Sequence, residues 1–239
     1  MWRCAAALCL LLPAQAQAVT CKDVLFEGAS YTTCEIDVAS EDLRLYHSTA
    51  AGDVIGSFSD LAALDPGRKL TFAMNAGMYH ADRSPVGLFQ KDGAEAAPLV
   101  TRDGPGNFGL LPNGVFCVTD TSARVVESRA FAAEGGTCRD ATQSGPMLVI
   151  DGALHPRFIP NGTSLHIRNG VGVKADGRTA IFAISNDPVN FHSFARLFRD
   201  GLQTPNALFL DGSVSRLHAN DLGRSDFGFQ LGPIVGVFE

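Results

Sequence analysis

A run of four apolar residues, Ala207 to Leu210, stops at an acid, a glycine and a serine in the order Asp211-Gly212-Ser213. An apolar run of this length that is bounded by turn residues is typical of a buried strand. A carboxylate at the point where such a strand leaves the core can act as an acid, a base or a nucleophile. The alternative is a strand followed by an ordinary Asp-Gly turn, which involves no chemistry.

Amide, hydroxyl and guanidinium groups stand beside apolar runs at four other points of the chain. The four segments are Asn75-Ala76-Gly77-Met78-Tyr79-His80, Asn107-Phe108 with Pro112-Asn113-Gly114, Thr142-Gln143-Ser144-Gly145-Pro146, and Ile167-Arg168-Asn169-Gly170. All of these side chains are hydrogen-bonding groups. If the segments meet at one place in the fold, they surround Asp211 with polar partners.

Other well-known functional motifs are either absent from the sequence or lack the neighbouring structure that they need. Gly104 to Gly109 matches the dinucleotide pattern G-x-G-x-x-G, but Pro112-Asn113-Gly114 follows and prevents the helix that this pattern needs. The chain has no P-loop and no G-x-S-x-G nucleophile elbow. Its six histidines form no metal-binding pair. We therefore expect no cofactor. Whether a divalent cation takes part is left open, although no ligand spacing in the sequence indicates a site for one.

Strands joined by Asp-Gly turns recur along the chain and indicate antiparallel pairing. The predicted hairpins join 85–90 to 98–101, 114–119 to 124–128, and 171–174 to 179–185. One clear helix begins near Asn190, with Phe191, Phe194 and Phe198 on one face. The pattern predicts an α+β fold with a mostly antiparallel or mixed sheet, few helices and a single compact domain over residues 19–239.

The first 18 residues read as a secretory signal peptide. Arg3 is followed by the apolar segment Ala5 to Leu12 and by the small-residue pattern Ala16-Gln17-Ala18. We predict cleavage after Ala18, no membrane span afterwards, and a periplasmic or secreted protein. An uncleaved anchor is the alternative, although the apolar segment is short for a span. A net charge of −6 without a basic stripe argues against nucleic acid as a partner.

Four cysteines, Cys21, Cys34, Cys117 and Cys138, lie outside the predicted signal peptide. An even number in an exported chain predicts two disulfide bonds. Four cysteines allow three pairings, and we favour Cys21–Cys34 with Cys117–Cys138 because each pair closes a local loop.

Taken in order, the polar segments resemble the phosphodiester glycosidase family. Asn75-Ala76-Gly77-Met78-Tyr79 resembles its Asn-Gly-Gly-aromatic-aromatic block, and Ser144-Gly145-Pro146 resembles its Ser-Gly block before a strand. Arg168 to Val173 resembles an Arg-Thr-Ala-Ile-Gly block, and Leu210 to Ser215 resembles Leu-Asp-Gly-Gly-Gly-Ser. The likeness covers roughly Leu70 to Phe238. It departs from the family where Gly212-Ser213-Val214 replaces three glycines and where Asn169-Gly170 replaces Thr-Ala.

The resemblance implies an exported hydrolase that cleaves a sugar-1-phosphodiester linkage in an envelope or extracellular polysaccharide, with a carbohydrate phosphodiester as substrate. It implies Asp211 as the acid–base residue or nucleophile, Arg168 as the cation for the phosphate and His80 as a further acid. The substrate-binding residues that it implies are Asn75, Gly77, Asn107, Ser144, Gly145, Asn169, Gly212 and Ser213. The altered Asp-Gly-Ser block motivates one alternative, a periplasmic module that binds an anionic glycan without turnover.

Overall fold

All strand pairs in the computed structural model, which describes residues 19–239, are antiparallel. The predicted signal peptide lies outside the described residues. In chain order the strands are β1 (Thr20–Phe26), β2 (Ala29–Asp37), β3 (Arg44–Tyr46), β4 (Leu70–Asn75), β5 (Phe89–Lys91), β6 (Ala94–Ala97), β7 (Gly114–Val118), β8 (Ala123–Glu127), β9 (Asp140–Ser144), β10 (Met147–Ile150), β11 (Ala153–Leu154), β12 (Asn169–Val173), β13 (Thr179–Ser185), β14 (Asn206–Phe209), β15 (Leu217–Ala219), β16 (Arg224–Ser225) and β17 (Ile234–Phe238).

The strands form three sheets. The largest has seven strands in the order β1-β2-β13-β12-β14-β10-β11, and two sheets of five strands have the orders β16-β15-β4-β17-β3 and β6-β5-β9-β7-β8. The central core lies where the sheets meet. There the Phe182 ring of the seven-stranded sheet lies 4.9 Å from Phe72 and 5.6 Å from Phe116, one in each smaller sheet. The predicted α+β class and the single compact domain are confirmed.

The helices are short. They are α1 (Phe58–Ala63), α2 (Ser128–Glu134) and α3 (Phe191–Arg196), and α3 continues into a π-helical turn at Leu197–Gly201. Asn190 begins α3 as predicted, because its side chain accepts a hydrogen bond of 2.8 Å from the Ser193 amide. Phe194 and Phe198 of this segment are fully buried and cover one face of the large sheet.

Both favoured disulfides are present. Cys21 and Cys34 are directly opposite each other on β1 and β2, and Cys117 of β7 is joined to Cys138 just before β9. Each bond ties strands that are already neighbours. Within the described residues, the helices are all too short to cross a lipid bilayer.

Candidate functional site

The loop from Asp211 to Arg216 is held at both ends by one buried amide. The Asn75 side chain, at the end of β4, donates 2.7 Å to the Asp211 carbonyl and accepts 2.9 Å from the Arg216 amide. The Asp211 amide also donates 3.1 Å to the carbonyl of Ala76. Because Asn75 is only 1% exposed, water competes little for these bonds. The end of β4 therefore fixes the position of the Asp211 segment.

Two further side chains extend this network. Asn169, fully buried at the start of β12, donates 3.0 Å to the Asn75 side-chain oxygen and 3.1 Å to its carbonyl. The Ser215 hydroxyl donates 3.1 Å to the Asn169 side-chain oxygen. Asn75 and Asn169 are thus brought together as the polar support of the loop, with their hydrogen-bonding groups turned towards each other and the backbone.

The Asp211 carboxylate has little compensation for its burial. It is half-buried, and among the described residues its side chain accepts a single hydrogen bond, 3.1 Å from the Ser213 amide, and makes no ion pair. Burial raises the pKa of Asp211 above its usual range, and the Ser213 hydrogen bond offsets this only in part. Such a carboxyl takes up and releases its proton at a higher pH than an exposed aspartate does.

Glycines let the surrounding backbone approach closely at two points. A Cβ at Gly77 would collide with the Gln143 carbonyl and the Thr142 hydroxyl of β9. A Cβ at Gly212 would collide with the Phe209 ring. The Gly77 contact packs the end of β4 against β9, and the bond from the Asp211 amide to the Ala76 carbonyl joins the end of β14 to the end of β4. Strands of three different sheets thus meet at this place.

Ser144 ends β9 in this same area. It is fully buried, and within residues 19–239 no partner accepts from or donates to its hydroxyl. Gly145 follows and lies against Asn113, with the Asn107 carbonyl 3.2 Å from where its Cβ would stand. A buried hydroxyl without a partner is uncommon in proteins.

Arg168 precedes β12 and is only 2% exposed. Its Nε donates 2.8 Å to the Val189 carbonyl and its Nη2 donates 2.9 Å to the Ser164 carbonyl. The guanidinium lies 3.7 Å from the centre of the Phe191 ring. Burial lowers the pKa of Arg168 to about 10. Its Nε and one N–H of Nη2 are therefore committed to backbone carbonyls, and the guanidinium lies against the Phe191 ring rather than at an open surface.

The remaining predicted site residues are more exposed. His80 stands at the tip of a turn in which its amide donates to the Ser84 carbonyl and its carbonyl accepts from Arg83. The Asn107 side chain is exposed in the loop before β7, and Ser213 is exposed in the short 3-10 turn after Asp211. Among residues 19–239, neither His80 nor the Asn107 side chain forms a hydrogen bond or an ion pair with Asp211, so their predicted roles rest on the sequence.

A separate groove of about 530 Å³ lies on the face of the large sheet opposite the central core. It is lined mainly by β1, β2 and β13, including Lys22, Glu35 and Lys174, and by none of the predicted site residues. Across residues 19–239, no three histidine, cysteine or acidic side chains are grouped to hold a metal ion.

Arg216 is a polar residue near Asp211 that the sequence analysis did not single out. It is 8% exposed, and burial lowers the pKa of its guanidinium. Tyr79 lies near both side chains. Burial is the main cause of its raised pKa, the Asp211 charge raises that pKa further, and the Arg216 charge lowers it. The position of Arg216 directly after the Asp-Gly-Ser-Val-Ser segment is the signal that could have revealed it.

Comparison with known proteins agrees with this architecture. The uncharacterized protein YigE of Escherichia coli (strain K12) is 34% identical over 184 residues, which make up 77% of this chain and 72% of that protein. A hypothetical protein from Synechocystis shares the fold with a TM-score of 0.60 and 15% identity, over 92% of this chain and 61% of that one. The chain thus spans less than two thirds of the Synechocystis protein.

A second solved structure is the catalytic domain of zebrafish N-acetylglucosamine-1-phosphodiester alpha-N-acetylglucosaminidase, auto-inhibited by pro-peptide. It matches with a TM-score of 0.62 and 14% identity, over 92% of this chain and 82% of that one. At these identities both structures show the fold alone. The model of the phosphodiester glycosidase family matches residues 68–225, which include Asn75, Asn169 and Asp211. Since this match covers more than half of its length, the chain belongs to the phosphodiester glycosidase family.

Proposed function

We propose that the protein is an exported hydrolase that cleaves a sugar-1-phosphodiester linkage in an envelope or extracellular glycan. Family membership supports a hydrolase of this type. The observation that carries the proposal is Asp211, a half-buried carboxyl with a raised pKa and no ion pair in the described chain, held at a junction of three sheets. The two disulfides and the sequence of the first 18 residues support export.

The chemistry needs little acid assistance at the leaving group. Water adds to the anomeric carbon, the bond from that carbon to the phosphate oxygen breaks, and its electron pair leaves with the phosphate monoester. The transition state resembles an oxocarbenium ion. Asp211, as carboxylate, takes the proton of the attacking water and later releases it to solvent. Burial that raises its pKa makes it a stronger base than an exposed aspartate.

Polar groups around Asp211 would bind the sugar and the phosphate. The exposed Ser213 next to Asp211 would contact a sugar hydroxyl. Gly77 and Gly212 would support the site through packing, because protein atoms occupy the space where their side chains would stand. Asn75 and Asn169 act as positioning residues, since their donors are already used within the network. Arg168 would contribute only Nη1 and the second N–H of Nη2, because Nε and the other Nη2 N–H are bonded to backbone carbonyls.

The test is release of free sugar by purified residues 19–239. Methyl phosphodiesters of N-acetylglucosamine, glucose and galactose serve as a substrate panel, with and without EDTA. We expect turnover of at least one substrate, equal rates with the chelator, and a loss of about 1,000-fold in Asp211→Asn. Asp65→Asn, a half-exposed aspartate near the opposite end of β4, is the matched control and should keep full activity. Saturable binding of these compounds without any product would instead favour the glycan-binding module, and full activity of Asp211→Asn would remove Asp211 from the mechanism.

A further inference from the structure

Gly212, the residue after Asp211, rests directly on the ring of Phe209. A Cβ at Gly212 would stand 2.4 Å from Phe209 Cζ and 3.0 Å from Cε2, so no side chain fits there. The backbone conformation does not itself require glycine, because φ of Gly212 lies outside the left-handed region. The ring therefore excludes a side chain at this position, and it sets how closely the turn that begins at Asp211 approaches the core.

The Phe209 ring is held in turn by Phe191, the first residue of α3. The two rings lie 4.8 Å apart and meet edge to face at 81°. Phe158 stacks on Phe191 at 5.0 Å with an interplanar angle of 8°, and His155 stacks on Phe158 at 4.7 Å. Close packing of this kind leaves a buried ring little freedom to shift. A displacement of Phe191 would therefore reach Gly212 through the one ring between them.

Arg168 contacts both rings with its guanidinium. The Cζ atom lies 3.7 Å from the centre of the Phe191 ring and 5.6 Å from the centre of the Phe209 ring. Its Nε donates to the carbonyl of Val189, two residues before Phe191, and its Nη2 donates to the Ser164 carbonyl. The guanidinium is thus tied to the backbone that leads into α3. Because an aromatic face attracts a cation, this contact holds Phe191 in a defined position.

Arg168 and its neighbour Asn169 support the same turn from two sides. Side chains of consecutive residues in an extended segment point in opposite directions. Asn169 bonds Asn75, and Asn75 holds the Asp211 carbonyl. Arg168 lies against the rings on which Gly212 rests. One short segment at the start of β12 therefore carries both supports of the turn.

The charge of Arg168 is not needed to fill space. The residue is 2% exposed, and within residues 19–239 its guanidinium forms no ion pair. Burying a cation without an anionic partner costs free energy, and an apolar side chain of similar volume is usually the more stable choice. An arginine here is better explained by what its planar, charged group orients, since an apolar side chain has no fixed fork of donors.

We propose that Arg168 is a positioning residue for the turn that carries Asp211. Its guanidinium holds Phe191 against Phe209. The Phe209 ring then fixes Gly212 and, through it, the direction of the Asp211 carboxyl. The inference rests on the proposed function, and it adds a role that is exerted through the protein and not through contact with the substrate.

The contact between Gly212 and Phe209 is tested by an exchange of volume. Gly212→Ala places a methyl group on the ring, and we expect kcat/KM to fall about 100-fold, as for a displacement of about 1 Å in a catalytic group. Phe209→Leu removes Cζ and both Cε atoms, so Gly212→Ala/Phe209→Leu should recover about 10-fold of that loss, as coupled neighbours do. Gly67→Ala, with its nearest neighbour 3.6 Å from the new Cβ, is the matched control. A double variant that is no more active than Gly212→Ala would overturn the contact.

The role of Arg168 is tested by kinetics on the methyl phosphodiesters. In Arg168→Met we expect kcat to fall about 10-fold, the size of one lost buried cation–π contact, while KM changes less than twofold. Arg168→Lys keeps the charge without the planar fork and should recover only part of kcat. Arg124→Met is the matched control, because Arg124 lies 5.8 Å over the Phe131 ring and contacts no part of the Asp211 turn. A raised KM with unchanged kcat in Arg168→Met would mean direct contact with the substrate and would overturn the positioning role.

The titration of Asp211 gives a readout that a merely structural arginine would not change. A turn that is pushed outwards or loosened exposes the carboxyl, so the pKa of Asp211 should fall towards the ordinary aspartate value of 3.8 in Gly212→Ala and in Arg168→Met. Carbon-13 NMR of the labelled carboxyl measures this pKa, and Arg124→Met should leave it unchanged. An unchanged pKa of Asp211 in both Gly212→Ala and Arg168→Met would contradict the proposal.

The titration also separates this inference from the proposed function, because it needs no turnover. If the wild-type protein hydrolyses none of the diesters while Arg168→Met lowers the pKa of Asp211, the hydrolase proposal fails and the positioning role stands. If turnover depends on Asp211 while neither Arg168→Met nor Gly212→Ala changes that pKa, the hydrolase stands and the positioning role fails.

Discussion

Asp140 and Asp211 are both aspartates next to strands, but they differ in burial and in the number of their hydrogen-bond partners. Asp140, at the start of β9, is fully buried and accepts 2.8 Å from Arg44 Nε, 3.2 Å from the Leu45 amide and 2.9 Å from the Asp92 amide. Asp211, after β14, is half-buried and accepts only from the Ser213 amide. One carboxylate is enclosed by partners and the other is left nearly without them.

The difference separates a structural group from a functional one. A buried carboxylate that is paired and hydrogen-bonded joins elements together, and here Asp140 connects β3, β9 and the turn that follows β5. A carboxyl that is desolvated without compensation carries a raised pKa, which is a cost to stability and an advantage for proton transfer. The same contrast holds for the cations, since Arg44 is paired to Asp140 while Arg216 has no anionic partner within 4.0 Å in the described chain.

The largest effect on stability is expected at the paired acid. Asp140→Asn leaves Arg44 without its buried partner and should lower the free energy of unfolding by about 3 kcal/mol. Chemical denaturation measures this, with Asp120→Asn as control because its pair with Arg139 is exposed. The folded fraction of Asp140→Asn should keep its kcat/KM. A loss of catalysis without a loss of stability would erase the distinction between the two regions.

A large effect on activity is expected at the amide that supports Asp211. Asn75→Ala removes the donor to the Asp211 carbonyl and the acceptor of the Arg216 amide, so both ends of the loop lose their anchor. We expect kcat/KM to fall about 100-fold, as for a displacement of about 1 Å in a catalytic group. Asn206→Ala removes a comparable side chain that bonds Asp151 at the surface, and its kinetics should be unchanged. Wild-type kinetics in Asn75→Ala would show that the loop holds its position without this network.

For Asp211→Asn we expect a smaller change in the free energy of unfolding than for Asp140→Asn, and in the opposite direction, so that the variant is the more stable protein. The pKa of Asp211 is raised in the native state, so the stability that its protonated form contributes is present at low pH and lost as the pH rises through that native pKa. Replacing it with a neutral amide should therefore raise Tm at pH 7.5 and have little effect at pH 4. Thermal unfolding at both pH values measures the difference, with Asp65→Asn as control. A variant that is less stable at pH 7.5 would mean that Asp211 has a compensating partner.

Local features of the fold were predictable from the sequence because they depend on short segments. The turn at Asp92-Gly93 has both residues at positive φ, +52° and +78°, as a tight hairpin requires, and β5 and β6 pair across it. The helix α2 was missed. Glu127 begins it in place of a typical capping residue, and it is only seven residues long.

The site was predictable as a set of residues but not as a set of contacts. Asn75 is 94 residues from Asn169 and 136 from Asp211, and the three meet only because β4 and β12 come from different sheets that pack together. What an arginine contacts depends on the same packing. Arg168 belongs to a block that resembles the family, yet two of its donors reach backbone carbonyls, whereas the Arg216 guanidinium lies beneath Gly228.

The most direct test of the account is the titration of the Asp211 carboxyl itself. Carbon-13 NMR of protein labelled at aspartate side chains follows each carboxyl with pH, and Asp211→Asn identifies the signal. We predict that Asp211 titrates above the ordinary aspartate value of 3.8 and that the acid limb of kcat/KM follows the same pKa. An Asp211 signal that titrates at or below 3.8 would show that the carboxyl is compensated after all, and it would contradict the claim that the fold holds this residue ready for proton transfer.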